Sequence, residues 1–171
     1  MSTAKIIPTI VLGGTGYVAG ELLRLIATHP NLRLTAAVSE SQAGETIKAV
    51  FPHLQNTFGT QTYTDRDQLG QYLHGHVALF SAAPHGASAA MIANIMELAD
   101  KQNCKLTIVD ASADFRFPTN AAYQAVYGHP HGAPQLLPHF STGLPEHMDK
   151  PREPHVGHPG CFATSMLLGT V

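Results

Sequence analysis

The chain has 171 residues, 44% of them apolar and only 13% charged, with 10 Lys and Arg against 12 Asp and Glu. So apolar a composition can bury a real core, which excludes intrinsic disorder, and the balanced charge leaves no electrostatic footprint for nucleic acid. No uncharged apolar run approaches the ~18 residues needed to span a bilayer, and with only two cysteines a disulfide framework is not expected, which points to a reducing, cytoplasmic compartment.

The first apolar run, Ile6, Ile7, Ile10, Val11 and Leu12, reads as a strand buried on both faces, starting only after Pro8 because proline cannot donate to a sheet ladder. It runs into Gly13-Gly14-Thr15-Gly16 rather than a small-residue cleavage site, so no signal peptide is expected. Val18, Leu22, Leu23 and Ile26 then recur at helical spacing until His29-Pro30 stops the helix. Residues 32–38 read as a second strand ending at Ser39-Glu40-Ser41. Between 42 and 75 the pattern supports only a short strand at Thr62-Tyr63 and a short helix from Asp65 to Leu73.

His76 to Phe80 is a further strand, and Gly86 to Asn103 a helix with Ala90, Met91, Ile95 and Leu98 on its apolar side. Leu106 to Val109 is another strand. Strands alternating with helices predict an α/β fold, a Rossmann-like, doubly wound, mostly parallel sheet. From Phe117 onward the chain reads as one long irregular segment. Eight of the 12 prolines lie between Pro118 and Pro159, and six of the 11 histidines between His129 and His158. A helix is expected again over Ala163 to Leu168. The apolar end, Met166 to Val171, has no polar tail and predicts a polypeptide cut from a longer one.

The glycine-rich turn carries the first chemistry. Gly13, Gly14, Thr15, Gly16, Tyr17 and Val18 follow a strand and open a helix, the context in which glycines let a backbone approach a pyrophosphate and free N–H groups receive it. The competing reading is a glycine turn without a ligand. An acidic residue about 20 positions on binds the ribose 2′-OH of NAD. Glu40 has that spacing, or is a solvated loop charge; Ser39 and Ser41 could donate to a 2′-phosphate, which keeps NADP open.

Cys161 follows Pro159-Gly160 and precedes a helix-like run. A helix N-terminus favours a thiolate, which makes such a thiol a candidate nucleophile; the alternative is a small buried hydrophobe, the reading given to Cys104. The histidines match no metal-ligand spacing, so no metal is expected.

Several segments in order resemble the N-acetyl-γ-glutamyl-phosphate reductase family. They are Gly13 to Leu25 with His29-Pro30, Ala83-Pro84-His85-Gly86, Asp110 to Arg116, Gly143-Leu144-Pro145-Glu146, and His158 to Thr164. The resemblance implies an NADPH-dependent enzyme of arginine biosynthesis that reduces an acyl phosphate to N-acetyl-glutamate 5-semialdehyde, through a thioester on Cys161. It implies that Ala83 and Pro84 join the cofactor site. Ser112, Arg116 and His85 would line the substrate pocket, with Arg116 clamping carboxylate or phosphate oxygens, or else pairing with Asp114. A turn-capping hydroxyl and a loop imidazole are the alternative readings of Ser112 and His85. Three residues depart from the family pattern: Ala19 stands at the third glycine of the turn, which is displaced to Gly20; Glu40 stands where an arginine is usual, so NAD remains possible; and His158 stands where an asparagine is usual.

The resemblance further implies that residues 1–157 form an NAD(P)-binding domain and that 158–171 begin a second α+β domain, largely absent here. That domain would supply the acid/base histidine and much of a homo-oligomer interface. The expected partner is a small-molecule acyl phosphate, with no nucleic acid or membrane. Rival readings are aspartate-semialdehyde dehydrogenase, a non-catalytic dinucleotide-binding module, and a His-rich metal-binding protein.

Overall fold

The computed structural model describes residues 5–147 and 151–170. Its core is a six-stranded parallel sheet, and the fold is α/β and Rossmann-like as the sequence predicts. Strand β1 (Ile7–Leu12) leads into helix α1 (Tyr17–Thr28) and strand β2 (Leu32–Val38). Two four-residue helices follow, α2 (Ile47–Val50) and α3 (Gln55–Phe58). Then come β3 (His76–Ser81), α4 (Ser88–Lys101), β4 (Lys105–Asp110), α5 (Asn120–Tyr127), β5 (Phe140–Thr142), β6 (His155–Gly157) and α6 (Cys161–Leu168). The order across the sheet is β2-β1-β3-β4-β6-β5. The chain therefore leaves β1 toward one edge and returns on its other side. That reversal opens a crevice between the C-terminal ends of β1 and β3, where such sheets bind ligands.

Apolar side chains cover both faces of the sheet. One cluster joins Ile10, Leu12, Val77, Leu79 and Ile108 to Ile92 and Ile95 of α4. The other joins Val11, Leu34 and Ala37 to Leu23 and Ile26 of α1. This double burial is why the strands read as near-continuous apolar runs.

Several expectations need correction. Pro8 lies inside β1, not before it. Ile7 donates to Asn31 O at 2.8 Å on the β2 side, so the missing N–H of Pro8 faces the other side, where pairing with β3 begins only at Thr9. Val18 is 53% exposed and does not belong to the core face of α1. The buried face of α4 is Ser88, Ala89, Ile92, Ile95 and Ala99, so Ala90 is misassigned to it. Residues 62–64 make only isolated bridges, and the helix expected over 65–73 shrinks to a 3-10 turn at Leu69–Tyr72. The stretch after Phe117 is more regular than its prolines suggest. Thr119 caps α5 by accepting from Ala122 N, Gly128 ends it with φ +78°, and two short strands extend the sheet.

Many of the histidines serve as turn formers. In His29, His131 and His158, Nδ1 accepts the backbone N–H two residues on, at 3.1, 3.0 and 3.1 Å. Asparagine and aspartate side chains make the same bond in Asx turns. The His155 ring likewise accepts from Ile108 N at 3.2 Å, tying β6 to β4.

Burial holds His155 and His76 below the usual imidazole range. The unfolded chain regains ordinary proton affinity, so it takes up protons first as the pH falls below about 6.5. Stability should therefore be flat above pH 7.5 and drop progressively from pH 6.5 downward. Urea midpoints measured across pH 5–8 check this; a midpoint that rises toward pH 5 contradicts it.

Candidate active site

The glycine turn is fixed by close backbone approach. Gly13 has φ +69°, and a Cβ there would sit 2.5 Å from Ala82 O, at the end of β3. Gly14 donates to Val38 O at 2.9 Å, and its own carbonyl accepts the Tyr63 hydroxyl at 2.9 Å. Burial pushes the Tyr63 phenol up to about 12, which keeps it a donor. Gly16 is the N-cap of α1 and has no side chain to satisfy the first-turn N–H groups. Nothing lies within 4 Å of where its Cβ would be, so bare backbone and the positive end of α1 face open space. Gly13 and Gly14 thus shape the turn, while Gly16 leaves room at its tip.

Across the crevice, two buried carboxylates bind three loops together. Asp114 is fully buried. Its oxygens accept Gly86 N at 2.8 Å and Ala89 N at 2.9 Å, and meet His85 Nδ1 at 2.8 Å and the Tyr123 hydroxyl at 3.4 Å. The residue before α4, Ala87, offers no cap, so Asp114 caps that helix from a distant loop. Asp110 accepts Ser88 Oγ at 2.7 Å and Ser112 Oγ at 2.5 Å. Burial raises its carboxyl above the usual range, and the two hydroxyls partly offset that.

Between these walls lies an open cavity of about 440 Å³, lined by Val18, Ala82, Ala83, His85, Ser112, Arg116 and Tyr127 among others. The His85 ring packs on Tyr127 with centroids 4.4 Å apart. Arg116 donates from Nε to His158 O at 3.2 Å. Its guanidinium carbon stands 2.8 Å from where a Gly160 Cβ would be, and Gly160 has φ +100°. Cys161 follows as the first residue of α6 and is exposed. It does not line the cavity itself; Arg116 and the Gly160 turn link the two.

Residues 9–138 match the family described as semialdehyde dehydrogenase, NAD binding domain. The chain belongs to that family. Relatives along the whole chain are N-acetyl-gamma-glutamyl-phosphate reductases. That of Pseudomonas entomophila is 35% identical over 93% of this chain and 44% of its own length. That of Acetivibrio thermocellus is 33% identical over 92% and 44%. The chain thus spans less than half the length of these relatives. A crystal structure of aspartate semialdehyde dehydrogenase with NADP from Candida albicans aligns with TM-score 0.52 at 17% identity, over 75% of this chain and 41% of that one, a likeness of fold.

Within this semialdehyde dehydrogenase domain, the expected residues fall into three groups. Val18, Ala83, His85, Ser112 and Arg116 come together in the cavity. Gly13 to Tyr17 are not among the lining residues but lead directly into Val18, which is, and exposed Pro84 precedes His85. Ser39 and Ser41 lie beyond β2, with hydroxyls 3.4 Å apart, outside the cavity lining. Arg116 does not pair with Asp114; His85 takes that carboxylate. Glu40 is a solvated loop charge, its side chain 57% exposed, with Arg66 3.3 Å away. Sequence spacing gives no signal for these roles of Arg66, Tyr127 or Tyr63: Tyr63 is expected in a short strand, Arg66 in a short helix, and Tyr127 in the irregular stretch. Among the described residues no three His, Cys, Asp or Glu side chains gather as a metal site, and no helix is long and apolar enough to cross a membrane.

Two substitutions test this architecture. Gly13→Ala should destabilise the domain by about 2–3 kcal/mol, because it combines a positive φ with a backbone clash. Asp114→Ala should cost about 2–3 kcal/mol, since it strands the buried Ala89 N–H and removes the partner of the Gly86 N–H and the His85 ring. Urea unfolding measures both, and a loss under about 1 kcal/mol in either would contradict the corresponding contact.

Proposed function

We propose that this chain is the dinucleotide-binding part of an NADPH-dependent reductase of arginine biosynthesis, which converts N-acetyl-γ-glutamyl phosphate to N-acetyl-glutamate 5-semialdehyde and phosphate. The observation that carries this reading is one juxtaposition. Val18, in the first turn of α1 just after the uncapped glycine turn, lines one cavity with Arg116, whose guanidinium lies against the Gly160 turn ahead of Cys161.

The residues present fit a dinucleotide. Gly16 and the open N–H groups of α1 would receive the pyrophosphate, and Ala83 and Pro84 would border it. Ser39 and Ser41 would reach the adenosine ribose. There Glu40 disfavours a 2′-phosphate and the adjoining Arg66 favours one. NADPH is the proposed donor, with NADH as the competitor. When bound, the nicotinamide supplies hydride.

The chain's own groups would do the remaining chemistry. Cys161 Sγ, at the open N-terminus of α6, would attack the γ-acyl carbon; the carbon–oxygen bond to phosphate breaks and a thioester forms on sulfur. First-turn N–H groups of α6 would bind the oxyanion of the tetrahedral intermediate. Arg116 keeps donors beyond the one given to His158 O, and these would grip substrate carboxylate or phosphate oxygens. Ser112 and His85 would border that substrate; both are already anchored to buried aspartates, which fixes their orientation.

Residues 1–157 are proposed as the NAD(P)-binding domain, with 158–171 leading into the catalytic-cysteine segment. The location proposed is the cytoplasm, where an exposed nucleophilic thiol stays reduced. A homo-oligomer is proposed for the full-length enzyme. The chain alone is expected to bind dinucleotide and to turn over poorly, as the resemblance puts the acid/base histidine in a further domain.

Titration of NADPH and NADH against the chain tests the cofactor part. Saturable binding, tighter for NADPH, is expected, and Gly16→Asp should weaken it at least about tenfold by placing an anion at the helix N-terminus. In full-length enzyme, Cys161→Ser should lower kcat by about 10⁴-fold or more while leaving NADPH binding within about twofold. Retained turnover in that variant would overturn the nucleophile assignment.

A further inference from the structure

The turn ahead of Cys161 is held by one imidazole. His158 Nδ1 accepts Gly160 N–H at 3.1 Å, and Nε2 lies 3.3 Å from Thr164 Oγ1, in the first turn of α6. An Nδ1 that accepts a backbone N–H carries no proton, so the neutral ring holds its proton on Nε2 and donates it to Thr164. One side chain therefore spans from the residue before the cysteine to the helix the cysteine opens. Its backbone is fastened as well: His158 N donates to Asp110 O at 2.8 Å, and His158 O accepts from Arg116 at 3.2 Å. Burial, and then the nearby guanidinium, hold the ring below the usual imidazole range, which favours the accepting form.

This fastening matters because, among the described residues, nothing else outside α6 holds its first turn. The helix has no buried residue, and its N-cap is Gly160, at φ +100°, with no side chain. Helix first turns fray readily without a cap or packed apolar contacts. The first-turn N–H groups proposed to bind the oxyanion beside Cys161 are the ones that would be lost.

We propose that His158 is a positioning residue for Cys161, acting as a histidine version of an Asx turn that keeps the first turn of α6 formed around the thiol. This rests on reading Cys161 as the nucleophile, but the interaction can be tested without substrate. The structural role requires only an acceptor at Nδ1, so asparagine should replace the ring. A role in which imidazole exchanges a proton with the thiol would not tolerate asparagine.

The experiment uses residues 1–171 as wild type, His158→Ala and His158→Asn. Nitrogen NMR of the wild type at pH 7.5 should show His158 protonated at Nε2 only; a proton on Nδ1 overturns the proposal without any variant. The alkylation rate of Cys161 by iodoacetamide, resolved from that of buried Cys104 by mass spectrometry, should fall about fivefold or more in His158→Ala. It should return to within about twofold of wild type in His158→Asn. A rate unchanged in His158→Ala, or equally low in both variants, overturns the proposal. Failure of the nucleophile reading is distinguished by the Cys161→Ser enzyme, which bears on turnover alone.

Discussion

The buried carboxylate of Asp114 is the constraint around which the crevice is organised. It leaves water completely, and it is tolerable there because donors from three segments converge on it. Those donors are the His85 ring and backbone N–H groups of the β3–α4 connection and the first turn of α4, together with a tyrosine of α5. One charge thus caps a helix, sets a loop and fixes the placement of a side chain lining the cavity. Asp110, one strand-end away, repeats the device with two serines. The two loops beside the glycine turn are consequently rigid relative to each other, which a preformed ligand crevice requires.

Much of the sheet was legible because its strands are buried on both faces. Residues 32–38 read as a strand to the residue, and β3 and β4 nearly so. What failed did so for identifiable reasons. The face of α4 was misjudged because the buried side includes Ser88, a polar residue that no apolar pattern selects and that is buried because Asp110 accepts its hydroxyl. The proline-rich stretch concealed two three-residue strands, which are too short for an alternation to show. Proline at 8 argued for a later start of β1, but a parallel strand alternates the direction of its N–H groups, and only the paired side matters.

The candidate site was legible where a motif is local. The glycine turn stands where a strand–turn–helix reading puts it, and α6 begins at Cys161, two residues before the expected start at Ala163. Contacts across the fold were not legible. His85 and Asp114 are 29 positions apart, and nothing in their spacing distinguishes a His85–Asp114 pair from the expected Arg116–Asp114 pair. Arg66 reaches Glu40 from 26 positions away, across a stretch in which no spacing links the two. The abundance of histidine was not legible because these residues follow no ligand spacing. Three of these rings instead replace the side-chain acceptors of Asx turns, a role that leaves no mark beyond a residue type followed two positions later by an available N–H.

Helix α6 is attached by polar groups at its ends: His158 meets Thr164 in the first turn, and His147 Nε2 meets Leu167 O at 3.0 Å in the last. Phe162 and Met166 remain 77% and 61% exposed. Detaching such a helix uncovers little additional apolar surface, so its release carries only a small heat-capacity change. The stability of that attachment then follows a nearly straight line with temperature, while the sheet's follows a dome. Cooling, which weakens apolar burial, therefore strains the sheet more than the cysteine helix. The segment that presents the thiol and the platform that shapes the crevice therefore answer to temperature by different thermodynamics within one polypeptide.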